Sequence, residues 1–269
     1  MTQHKFDADD GVTIVYDDVG PRGGPAVVLC HGLAAAGRQF AADAGYFAEA
    51  GYRVLVPDLR GHGRSGKPAA IRPETFTIGR MAADLVAMLD HAGSAPVHWV
   101  GNSLGGILAL SLLGAAPRRF LSLATFGTAY RLDLPPWATP LIPLGTKVFG
   151  KGLSAWTTAW ATSTDPEARR LIAEILAGND FDCIGAIAHN LARYDLIAEA
   201  RNFAGPILLL RGGRDGAVNR ALGPTLKAMA GRRNFSLVQL AQGGHCANLD
   251  ATAQWRGALL AFWKRNAGA

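Results

Sequence analysis

Short apolar runs alternating with longer segments of helical periodicity predict an α/β chain built on a largely parallel sheet with helices on both faces. Runs such as Ala26–Cys30 and Ile207–Leu210 are bounded by Gly and Pro, as expected of strands buried on both faces. Between such runs apolar residues recur at near-helical spacing, as at Ile78, Ala82, Leu85 and Leu89. The rhythm breaks once, from about Tyr130 to Arg201, which predicts an insertion.

The first two strands, Lys5 to Ala8 and Val12 to Asp17, read as a hairpin around Asp9-Asp10-Gly11. Ala26–Cys30 follows as a buried strand. A helix near 38–50 then leads through Gly51 into a strand from Arg53 to Pro57. After a loop containing Gly61, Gly63 and Gly66 comes the helix of Ile78 to Leu89, and then a strand from Val97 to Val100. That strand runs into Gly101-Asn102-Ser103-Leu104-Gly105-Gly106 and an almost wholly apolar helix, which must be buried on most sides. A strand at 120–125 closes this half. The stretch 130–201, rich in Trp, Pro, Thr and Ala, shows helical patches without a clear strand and reads as a mostly helical cap. The core is thus expected to comprise 1–129 and 202–269. It resumes with Pro206 to Leu210, a helix near 218–230, the strand Phe235 to Leu240 and a final helix carrying Trp255, Leu259 and Phe262.

Composition narrows the function. Half the residues are hydrophobic (49%), yet no run approaches the roughly 20 apolar residues that span a bilayer. The start, Met1 to Gly11, lacks the apolar stretch of a signal peptide, so a soluble cytoplasmic protein is expected. The net charge of +6 comes mostly from scattered arginines rather than a basic run, which argues against nucleic acid as a partner. Three irregularly spaced cysteines, Cys30, Cys183 and Cys246, suit neither a disulfide framework nor a zinc site and read as reduced packing thiols. Neither a metal nor an organic cofactor is expected.

Gly101-Asn102-Ser103-Leu104-Gly105 fits the G-x-S-x-G elbow, a sharp strand-to-helix turn that lifts a serine hydroxyl above the sheet. The flanking glycines answer a steric need, because side chains there would strike the neighbouring strand and helix. A serine that merely capped the helix would leave both glycines unexplained. The hydroxyl needs a base, and in chains with this elbow the order is Ser, acid, His. Only His189 and His245 follow Ser103. His189 falls on an ordinary amphipathic segment of the cap, whereas His245 lies in a Gly-rich loop just past the last strand. His245 is therefore the candidate base. Of the carboxylates between the two, all but Asp215 fall in the cap. Asp215 follows the strand ending at Leu210, at the carboxyl end where sites of open α/β sheets gather.

With these residues in place the chain resembles an α/β-hydrolase from end to end, more weakly in the cap. His31-Gly32 and Asp58-Leu59-Arg60-Gly61-His62-Gly63-Arg64-Ser65 strengthen the likeness. The resemblance implies an oxyanion hole formed by the backbone N–H groups of Leu33 and Leu104, with structural roles for His31 and His62. It also implies a serine hydrolase of carboxylic esters acting through an acyl-enzyme, with a small ester or lactone as partner. Lactone opening and carbon–carbon bond cleavage use the same triad, and some proteins of this fold are ligand receptors instead. Relatives with an Asp nucleophile hydrolyse epoxides, against which Ser103 argues. A hydroxynitrile lyase would need a cap lysine reaching the pocket, and only Lys147 and Lys151 are available. Trp137, Phe149, Trp156 and Trp160 are the candidate apolar lining of a bounded pocket. The oligomeric state is not legible.

Overall fold

The computed structural model describes residues 1–134 and 155–267. Eight strands form one sheet in the order β1-β2-β4-β3-β5-β6-β9-β10. These are β1 (Thr2–Asp7), β2 (Thr13–Val19), β3 (Ala26–Cys30), β4 (Arg53–Asp58), β5 (Val97–Asn102), β6 (Phe120–Phe126), β9 (Ile207–Gly212) and β10 (Phe235–Leu240). The β1–β2 and β2–β4 pairs are antiparallel, and all other neighbours are parallel. Parallel pairing requires crossovers. They are supplied by α1 (Ala41–Glu49), α2 (Ile78–His91), α3 (Leu104–Ala115), the stretch between β6 and β9, and the pair α8 (Gly216–Ala221) and α9 (Gly223–Met229); after β10 come the single turn α10 (Ala247–Asp250) and the closing helix α11 (Thr252–Arg265).

The period-two alternation of each strand divides the core into two layers. Val28 and Cys30 of β3 face one way, against Leu85 and Met88 of α2 and Leu108 and Leu112 of α3. Val27 and Leu29 face the other, against Phe47 of α1 and Trp255, Leu259 and Phe262 of α11. Nearly every residue of α3 is buried, as its apolar sequence requires.

Three local features differ from the sequence reading. The helix expected near 38–50 begins as a 3-10 turn, Gly37–Phe40, before α1. The helix expected near 218–230 is two, because Pro224 cannot donate the hydrogen bond that would continue α8. The stretch 130–201 does contain strands: β7 (Arg131–Asp133) and β8 (Arg193–Asp195) pair antiparallel in a small sheet of their own. Three-residue strands are too short to show as alternation. Between them lie helical residues 155–162 (α4), α5 (Pro166–Gly178) and α6 (Phe181–Leu191), and α7 (Ile197–Asn202) follows β8. No helix among the described residues is long and apolar enough to cross a membrane.

Candidate active site

The carboxyl ends of β3, β5, β6, β9 and β10 deliver five loops to one edge of the sheet, and the candidate residues stand on them. Ser103 stands between β5 and α3 with φ +49° and ψ −112°, a region that a non-glycine residue enters only under constraint. The constraint is packing. A Cβ on Gly105 would lie 2.3 Å from the carbonyl oxygen of Cys30, and one on Gly101 would lie 2.4 Å from the nitrogen of Gly106. Only bare backbone lets α3 start this close to β3 and β5, and that closeness forces the chain to turn sharply at Ser103.

His245 is fixed at three points. Its Nδ1 lies 2.9 Å from Oδ2 of Asp215. Its backbone N–H donates to the carbonyl of Thr162 at 3.1 Å, and its own carbonyl accepts from Nδ2 of Asn102 at 3.0 Å. Asp215 is 6% exposed, and its other oxygen caps α8 by accepting from the N–H of Val218. A carboxylate held at both oxygens cannot swing away from the imidazole. His189, by contrast, is exposed on α6.

Between β3 and α1 the loop of Gly32 to Gln39 borders the site. Leu33 is followed by Ala34 at φ +59°, another left-handed non-glycine residue. The N–H of Ala34 donates to Nε2 of His62 at 3.1 Å, while Nδ1 of His62 meets the carbonyl of Arg60 at 3.0 Å. Nε2 of His31 likewise accepts from the N–H of Leu59 at 3.0 Å, and its Nδ1 meets the carbonyl of Gly32 at 2.8 Å. Each ring therefore donates from Nδ1 and accepts at Nε2, which requires the neutral form. Burial enforces it: desolvation, aided by the neighbouring His31, pulls His62 down to about 3, and desolvation also lowers His31. The charged half of the same motif acts as a staple. The wholly buried Arg60 bonds both oxygens of Asp84 and of Asp10, and Asp58 accepts from the N–H groups of Gly37 and Arg64. Sequence motifs that look catalytic thus hold the loops.

A cavity of about 60 Å³ opens beside His245, lined by Leu33, Gln39, Asn102 and Cys246 from the sheet loops and by Thr158, Thr162, Ile172, Ile175 and Leu176 from α4 and α5. The apolar wall comes from α5, whose Ile172, Ile175 and Leu176 repeat at helical spacing. Trp156 and Trp160 do not line it. They stand 54% and 52% exposed on the far side of α4, their rings in contact at a tilt of 48°, with Arg169 over the ring of Trp160. Ala155 and Ala159 take the inward positions instead, because only small residues let α4 lie close against α5. Trp137 and Phe149 lie outside the described residues. Leu104 is the first residue of α3, so its N–H has no preceding helical turn to bond.

Asn102, Gln39, Asn248 and Thr162 went unnoticed in the sequence. Asn102 is the variable residue of the elbow pattern, and nothing in its spacing marks it. All three cysteines are free and buried, and desolvation pushes the Cys246 thiol up to about 12. Among the described residues no cluster of three or more His, Cys, Asp or Glu could hold a metal.

Comparison with known proteins agrees with this architecture. A family model described as alpha/beta hydrolase fold matches residues 25–149. Epoxide hydrolase A of Mycobacterium tuberculosis is 38% identical over 99 residues, 37% of this chain and 30% of that protein, so the chain spans under a third of that relative's length in the match. A putative carbamate hydrolase RutD of Pseudomonas syringae pv. syringae is 28% identical over 259 residues, covering 88% of this chain and 93% of the relative. Among solved structures, the enol-lactonase from Burkholderia xenovorans LB400 superposes with a TM-score of 0.85 at 22% identity, over 97% of this chain and all of the other (100%).

Proposed function

Taking as premise that the chain has the α/β-hydrolase fold, we propose that it is a serine-dependent hydrolase of small carboxylic esters, lactones included, acting through an acyl-enzyme. The observation that carries the reading is the His245–Asp215 contact of 2.9 Å, on a loop whose carbonyl is tied to Asn102, the residue before Ser103. In this reading Oγ of Ser103 attacks the substrate carbonyl while Nε2 of His245 takes its proton. Asp215 accepts the Nδ1 proton, which fixes the tautomer and stabilises the imidazolium. The backbone N–H groups of Leu33 and Leu104 receive the oxyanion, a contribution of about 3 kcal/mol per donor in other enzymes. His245 then protonates the departing alkoxide, and water repeats the sequence on the acyl-enzyme.

Residues 130–201 are read as a cap. Its α4 touches the base directly through the Thr162 carbonyl, and its α5 supplies the apolar wall of the cavity. Such a bounded space favours short acyl groups. The epoxide hydrolase relative does not redirect the reading, because the elbow carries a serine where an Asp-nucleophile enzyme carries a carboxylate. The test is a sulfonyl fluoride followed by peptide mass spectrometry, run beside turnover of nitrophenyl esters. An adduct on Ser103 that tracks loss of turnover supports the reading; full turnover by Ser103→Ala overturns it.

A further inference from the structure

We propose that Gln39 is a positioning residue, which holds the Asn102 side chain in place and through it the loop of His245; this rests on the reading of Ser103 and His245 given above. A chain of buried amides runs behind the candidate site. Nε of Arg256 donates to Oδ1 of Asp43 at 2.7 Å, and Nδ2 of Asn248 donates to Oδ2 of Asp43 at 2.9 Å. Nε2 of Gln39 lies 3.0 Å from Oδ1 of Asn248 and 3.2 Å from Oδ1 of Asn102. Asn102 in turn donates from Nδ2 to the carbonyl of His245. Asp43, Gln39, Asn102 and Asn248 are each at most 3% exposed.

The direction of every amide in this chain is fixed from both ends. At one end Asn248 faces acceptors, a carboxylate oxygen and the carbonyl of Gln39, so its nitrogen must point there and its oxygen toward the Gln39 side chain. At the other end Asn102 faces the carbonyls of His245 and Phe126, so its oxygen must also point toward Gln39. Two amide oxygens therefore converge on one atom, which must supply two protons without bringing a charge. The carboxamide nitrogen of glutamine does this. In this orientation Oε1 of Gln39 has no partner among the described residues. A buried acceptor left unpaired costs about 1–3 kcal/mol. The arrangement accepts that cost and in return satisfies both neighbours.

Gln39 sits on a short rigid turn, the 3-10 segment Gly37–Phe40, anchored at Gly37 by Asp58 and at Phe40 by the aromatic core. It is a fixed post. Without its donor Oδ1 of Asn102 would lose this buried partner, and the side chain would shift to regain one, drawing its Nδ2 away from the carbonyl of His245. The His245 carbonyl would then lose a bond that ties its loop, and the imidazole would be held less closely to its place beside Ser103.

The experiment is a double-mutant cycle on turnover. Gln39→Met is expected to lower kcat roughly tenfold or more, because sub-ångström misplacement of a reacting group is costly, with KM within about twofold. The rate of Ser103 modification by the sulfonyl fluoride should fall in parallel. In an Asn102→Ala background the same Gln39 change should have little further effect, since its route of action is already gone. Additive losses in the cycle, or a folded Gln39→Met protein with wild-type kcat and labelling rate, would overturn the inference. If Gln39→Met does not fold, Gln39→Glu keeps the shape while leaving at most one donor for two acceptors, and the same outcomes apply. Wild-type labelling separates the two ideas: failure to label Ser103 sinks the catalytic reading, whereas normal labelling with unaffected Gln39 variants sinks only the positioning role.

Discussion

The side-chain amide of Asn102 donates a 3.0 Å hydrogen bond to the backbone carbonyl of His245, so the residue before the candidate nucleophile holds the loop of the candidate base. Strand β5 and the loop after β10 are 143 residues apart in sequence. One amide thus joins Asp215 and the Thr162 carbonyl in fixing the placement of His245.

Ser103→Ala and His245→Ala should each reduce kcat for a nitrophenyl ester by about 10⁴-fold or more, because members of a triad act as a unit. Neither should disturb the circular dichroism spectrum. Retention of even a tenth of the turnover in either purified variant would contradict the assigned roles.

Gly105→Ala should be destabilising beyond its chemistry, since its Cβ would fall 2.3 Å from the Cys30 carbonyl, an atom of the central strand that cannot move aside. Overpacking of this kind costs about 1–3 kcal/mol. Urea denaturation should show the loss. An unchanged midpoint would mean that the elbow is looser than described.

Stability should rise with pH between about 4 and 6.5. Burial holds His62 at about 3 and His98 at about 4, below the ordinary value of 6.5. The unfolded chain then binds protons in that window which the folded chain refuses. Stability is therefore fully present above about 6.5 and is lost as the pH falls toward the folded values, at about 1.4 kcal/mol for each pH unit by which a histidine is depressed. Carboxylates contribute to any such slope, so the measurement is a difference. Thermal melts of His98→Gln should show a shallower dependence than wild type over this range, and equal slopes would argue that His98 titrates normally.

Acyl-chain selectivity should respond to α5 and not to the exposed tryptophans. Wild type should show kcat/KM climbing and then falling along nitrophenyl esters from acetate to palmitate. Each methylene adds roughly 0.8 kcal/mol only while it can be buried. Ile175→Ala should move the optimum to a longer chain, whereas Trp160→Ala should leave it in place. A shift caused by Trp160→Ala alone would return the pocket wall to α4.

Thiol reagents should not inactivate the protein at neutral pH. Cys246 borders the cavity, but burial pushes its thiol up to about 12 and leaves almost no thiolate to react. Rapid inactivation by iodoacetamide, with the adduct on Cys246, would show that this loop opens in solution.

Local and periodic signals determined the sheet and the elbow. Apolar runs bounded by Gly and Pro marked the buried strands, because a strand covered on both faces has no polar side to show. Ser103 was legible because its glycines answer a collision only a few residues away, and Asp215 and His245 because their strands end at the same edge. Tertiary structure alone decided the rest. Gln39 and Asn248 carry no periodicity and no motif, and Asn102 fills the elbow position that the motif leaves open; their meaning lies in which acceptors surround each amide, and that is set by packing across the whole domain. The helical face of α4 misled for a related reason. Trp156 and Trp160 are the residues with the most apolar surface, but the close approach of α5 admits only Ala155 and Ala159, and the rings turn outward. Hydrophobicity can say that a helix has an inner face, but the neighbour that packs there decides how large its residues can be.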